Sequence, residues 1–112
     1  MEGSGVALRD RLRKGAAKYL EPGEQIQAAF LATRPSVKSH HYSVAVTDRR
    51  ILLLELDFTG LRITGLTGEL PRKTKLGPCS GLLYPLPAFG TDLAVNRRFF
   101  KDVEEADRAA GF

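Results

Sequence analysis

The sequence predicts a small α+β domain, mainly β, in the order helix, about seven short strands, helix. Three observations predict it. Apolar and polar residues alternate over 24–33 and again over 41–58. Glycines and prolines from Gly60 to Pro87 break the next stretch into short pieces. Both ends of the chain carry apolar residues at helical spacing. Strands this short and this frequent fold into a β-sandwich or barrel, with the last helix as a cap and the first as an addition.

The N-terminal helix is expected over 5–20, "GVALRDRLRKGAAKYL", as a segment apart from the domain at 21–112. Leu8, Leu12, Ala16 and Tyr19 make one stripe, Ser4 is a candidate N-cap, and Pro22-Gly23 stops the run. In "EQIQAAFLAT" (24–33), Ile26, Ala28, Phe30 and Ala32 face one way, as in a half-buried strand. "RPSVKSHH" reads as a loop. In "HYSVAVT" (41–47), Tyr42, Val44 and Val46 point inward. The next strand places Leu52, Leu54, Leu56 and Phe58 inward and Glu55 and Asp57 outward. With Asp48-Arg49 at the turn, 41–58 forms an antiparallel hairpin. Further strands are expected near 61–67, 72–77, 81–86 and 91–96. Asn96 then caps a helix in which Phe99, Val103, Ala106 and Ala110 recur, and Gly111 ends it.

Length and composition suit one domain with a core: 112 residues, 43% hydrophobic, 27% charged. No stretch approaches the roughly 20 apolar residues of a membrane span. The start of the chain has no apolar leader pattern. A lone Cys79 rules out an intramolecular disulfide, and together these predict a reducing, cytoplasmic setting, with the inner face of the membrane as a possible station.

The net charge of +4 is uneven. Residues 1–20 hold five basic and two acidic side chains, whereas 21–112 hold twelve and eleven. A near-neutral body argues against a dedicated duplex-DNA binder. Arg9, Arg11, Arg13, Lys14 and Lys18 make the first helix basic and amphipathic, which suits contact with an anionic membrane. The thin, Ala-rich stripe favours the alternative, in which the helix docks on the domain and its charges are solvated. Other cations cluster as Arg34 and Lys38 in the first loop, Arg49 and Arg50 at the hairpin turn, and Arg72, Lys73 and Lys75 after "GELP". These seven are the candidate ligand contacts. Arg97, Arg98 and Lys101 open the last helix, the wrong end for its dipole.

Chemistry-bearing patterns are sparse. "GPCSG" (77–81) is not a nucleophile elbow, which needs a strand-to-helix turn. His40 and His41 are adjacent, so on a strand they point to opposite faces and do not chelate one ion. No phosphate loop or dinucleotide fingerprint occurs, and the basic residues lack the interleaved aromatics of a single-strand binder. The sequence therefore predicts no enzyme, metal or cofactor.

Four stretches carry a resemblance. "AVTDRRILLLELD" (45–57) resembles the strand 2–strand 3 hairpin of bacterial pleckstrin-homology-like (PH-like) and GRAM-like domains, and "LEPGEQI" (20–26) is similar to the phrase with which they begin. "ELPRKTKLGPCSGL" (69–82) and "NRRFFKDVEEAD" (96–107) are similar to segments of small stand-alone members. The resemblance implies a seven-stranded β-sandwich capped by a C-terminal helix, and a binding module rather than a catalyst. Its partner would be a protein or a second copy, with anionic membrane lipid as the alternative. The basic residues of the lipid-binding signature on strands 1 and 2 are missing here, apart from His41, which weighs against phosphoinositide recognition at the usual loop.

Overall fold

The computed structural model describes residues 2–34, 40–57, 59–60, 62–89 and 93–112, the first five of these by backbone alone. Helix α1 spans Glu2–Ala17. The strands are β1 (Ile26–Thr33), β2 (His41–Thr47), β3 (Arg50–Leu56), β4 (Ile63–Pro71), β5 (Leu83–Pro85) and β6 (Ala94–Asn96). A 3-10 turn at Arg97–Phe99 leads into α2, Phe100–Ala109. The strands form one open antiparallel sheet in the order β4-β3-β2-β1-β6-β5. β1 therefore lies between β2 and the last strand, β6, with Thr33 opposite Ala94.

The hairpin forms as its alternation predicts, but its faces differ from expectation. The two-residue turn pairs Val44 with Leu53 and Val46 with Ile51. Directly paired residues share a face, so Ile51 and Leu53 join Phe30, Val44 and Val46 in the main core. Leu52 and Leu54 lie on the other face, beneath Ala16 of α1. Both faces of β2 and β3 are covered. The four-aliphatic run "ILLL" thus marks a doubly buried strand, not a one-sided one with Leu52 and Leu54 in the main core. Phe58 lies outside the described residues.

Six strands are present among the described residues, not seven. The segment 72–77 forms no strand; β4 instead runs for nine residues to Pro71, with two register shifts in its pairing to β3. Leu76 is the sole aliphatic of "RKTKLG" and is fully buried. The amides of Leu76 and Gly77 donate not to a neighbouring strand but to the two Asp107 oxygens on α2, each at 2.9 Å. One helical carboxylate does the work of a ladder there. Of the strand expected at 91–96, residues 91 and 92 lie outside the described residues. Ser4 is inside α1 and not its cap, since the helix begins at Glu2.

The ends of the chain close the fold from two sides. α1 lies on the outer face of the sheet, with Leu12 and Ala16 buried and Tyr19 packed against the Ala16 cluster, while Leu8 packs against the main core. The apolar stripe thus docks on the sheet. Gly15 lets it come close: a Cβ there would stand 2.8 Å from Ile63 Cδ1. On the inner face, Phe99, Val103 and Ala106 complete the core with Leu76, Leu86 and Leu93. Asn96 caps the 3-10 turn by accepting the Arg98 amide at 3.0 Å. Asn96→Ala is expected to cost about 1 kcal/mol, read by urea denaturation. Gly111, at φ +93°, ends α2 in the left-handed conformation.

Candidate functional site

Most of the candidate ligand arginines prove to bind their own chain. At the hairpin turn, Thr47 Oγ1 accepts the amides of Arg49 and Arg50 and donates to Glu24 Oε2 at 2.6 Å. Asp48 ties the turn to the start of β1, accepting the Gln25 amide at 2.9 Å and donating its own amide to the Gln25 carbonyl. Arg50 grips Glu24 with a fork, Nε to Oε2 and Nη2 to Oε1, both 3.0 Å. Its Nη2 also reaches the Tyr19 carbonyl, and its Nη1 the Glu69 carboxylate. One guanidinium therefore joins the exit of α1, the approach to β1, β3 and β4. The Glu24 side chain is fully buried and that of Arg50 is 15% exposed. The Arg50 guanidinium, helped by Thr47, holds the Glu24 carboxyl down at about 2 despite its burial. Glu24 in turn pushes Arg50 up. Arg49 is different: it is exposed and, among the described residues, its side chain pairs only with Glu21, at 3.4 Å.

The third cluster serves α2. Arg72 donates to Gln27 and to the Ala106 carbonyl, and Lys73 to the Ala110 carbonyl at 2.8 Å. Both cations sit at the C-terminal end of the helix, where its dipole favours them. Lys75 is exposed. Arg34 lies over the Tyr42 ring at 5.1 Å, beside an open cleft of about 410 Å³ shared with Leu53, Leu70 and Phe89. Lys38 lies outside the described residues. Arg98, at the helix N-terminus, stacks on Phe99 at 5.0 Å, which supplies the reason its position lacked.

α1 divides its five cations. Arg9 turns toward the body and binds Asp102 of α2 with two hydrogen bonds of 3.1 and 2.9 Å, its guanidinium also over Phe99. Arg13 reaches the Gln27 carbonyl at 3.5 Å. Arg11, Lys14 and Lys18 instead line an open groove of about 560 Å³ against β3 and β4. The fourth cation in the groove is Arg62. No sequence signal linked it to α1, because only the sheet carries it there. Leu12, Gly15, Leu56 and Ile63 form the apolar part of the lining. Arg9→Gln is expected to cost about 1 kcal/mol, because the pair is only partly buried; a double-mutant cycle with Asp102→Asn measures it.

The remaining reactive groups are quiet. Burial pushes the Cys79 thiol up to about 11, and Asp107 and Glu104 add to the effect, so thiolate is scarce at neutral pH. His40 is bound to Glu55 at 2.9 Å and stacked on Tyr42. Among the described residues no group of three potential metal ligands gathers, and no helix is long and apolar enough to cross a membrane. Compared with known proteins, the chain matches no family model, no curated protein and no solved structure.

Proposed function

We propose that this chain is a non-enzymatic binding module of PH-like architecture that recognises a protein partner or a second copy of itself. One observation carries the reading. Leu82 and Leu83, adjacent residues at the edge strand β5, are 71% and 44% exposed. The sheet is open, and no described strand pairs with the outer side of β5. Adjacent exposed leucines on an unpaired edge are a liability in isolation and a docking surface in company. Backbone is held firmly behind them: the Leu82 carbonyl accepts the Arg97 amide at 2.9 Å. The protonated Cys79 thiol supports the non-enzymatic part.

The test is a photo-crosslinking residue placed at position 82, with one at Lys101 as control, alongside sedimentation over a range of concentrations. The expected result is a covalent adduct from position 82 and none from position 101, with Leu83→Glu abolishing both the adduct and any self-association. A chain that stays monomeric and yields no adduct at position 82 sinks the reading.

A further inference from the structure

The groove between α1 and β4 gathers four cations in its lining and, among the described residues, no carboxylate. Arg11, Lys14, Lys18 and Arg62 are all exposed and all line it. None forms an ion pair with a described residue; Lys18 alone has a partner, the Tyr19 ring at 5.8 Å. Asp10, on the adjoining surface with Ala7, Arg11 and Lys14, offsets part of their charge from outside the groove. Of the other cations, Arg9, Arg49 and Arg50 each have a carboxylate, and Arg72 and Lys73 have helix carbonyls; Lys75, Arg97, Lys101 and Arg108 are exposed as the groove's four are, but do not share one concavity with them. Four like charges around one concavity repel each other and raise the local potential.

The groove is also built rather than incidental. α1 is fixed on the sheet by buried Leu12 and Ala16, by the approach of Gly15 to Ile63, and by the Arg9–Asp102 pair. The backbone positions that carry the cations are therefore set before any ligand arrives. Two guanidiniums provide planar forks that match phosphate oxygens, and two ammoniums provide point charges. Carboxylates would be matched too, but four cations call for an anion of more than one charge.

We infer that this groove is a binding site for a phosphomonoester-bearing anion, held by Arg11, Lys14, Lys18 and Arg62. Two sources offer that chemistry: a lipid headgroup at a membrane surface, or a soluble phosphorylated molecule. The site differs from a basic helix lying flat on a membrane, because it requires Arg62 from the body.

The experiment uses the full chain. Phosphatidylcholine vesicles are compared with vesicles containing phosphatidic acid, and with vesicles matched in charge by phosphatidylserine. Inositol hexakisphosphate is titrated separately by calorimetry. Binding to phosphatidic acid vesicles, or to inositol hexakisphosphate, is expected and identifies the source. Arg62→Gln and Lys14→Gln should each weaken it about fivefold. Lys101→Gln with Arg108→Gln, which lowers net charge on the opposite helix, should leave it within about twofold. All these positions are exposed, and a thermal melt checks that each variant folds. Three results overturn the inference: no binding to either probe, equal binding to phosphatidylserine, or an equal loss from the Lys101/Arg108 pair.

Discussion

Arg50→Ala is expected to lower the unfolding free energy by about 3–5 kcal/mol, the range for breaking a buried ion pair from one side. The reason is what it leaves behind. The Glu24 carboxylate stays buried with one hydroxyl donor from Thr47 and one amide from Glu21, and without its guanidinium. Arg50→Lys should rescue little. An ammonium cannot hold both Glu24 oxygens in a fork while also reaching Tyr19 and Glu69. The double variant Glu24→Gln/Arg50→Gln should be less damaged than Arg50→Ala, since no charge is then stranded. Urea denaturation of the four proteins decides this; a loss below about 1 kcal/mol for Arg50→Ala contradicts the assignment.

The same pair sets a pH dependence. Glu24 sits at about 2 in the folded chain against an ordinary value of 4.5. The unfolded chain therefore binds a proton first as pH falls. The stabilisation is fully present above about pH 4.5 and is lost progressively as pH drops toward 2. A shift of this size is worth roughly 3 kcal/mol at neutral pH. Glu24→Gln should flatten that part of the stability-versus-pH curve while lying below the parent at neutral pH.

The second large effect is expected at Asp107. Its carboxylate, 8% exposed, is the acceptor for the amides of both Leu76 and Gly77. Asp107→Ala leaves two donors inside the fold with no acceptor, at a cost of about 3 kcal/mol. Asp107→Asn keeps one acceptor oxygen and should lose about half of that. The local signature is specific: hydrogen exchange at Leu76 and Gly77 should accelerate far more than at β2 or β3. Cys79 should react somewhat faster with a thiol reagent: burial, the main reason its pKa is raised, remains, but the added push from the Asp107 charge is gone. Uniform exchange across the sheet would assign Asp107 a general role instead.

Periodicity is local, and it served where structure is local. Alternation over 41–58 located the hairpin and its turn, and helical spacing located both helices. The stripe Leu8, Leu12, Ala16 and Tyr19 indicated docking, and α1 does dock. The inward face of β3 was misread because alternation says which residues share a face, not how many faces are covered. Four aliphatics in a row at 51–54 were the signal that both were. The strand expected at 72–77 failed for another reason. Only Leu76 anchors it, and the acceptor for its amides, Asp107, lies 30 residues on in α2.

The cations show the same division. Composition placed the positive charge on residues 1–20, and the turn motif placed Arg49 beside Arg50. Which arginine is held internally depends on partners distant in sequence: Glu24 for Arg50, Asp102 for Arg9, Ala106 for Arg72. Arg62 entered the α1 groove only through the pairing of β3 with β4. The sequence by itself determined the element types, the hairpin and the uneven charge, because these follow from side-chain order along a few turns or strand residues. The tertiary structure alone decided which charges are neutralised and which face solvent together. Electrostatic pairing depends on distance in space, and folding sets that distance independently of separation along the chain.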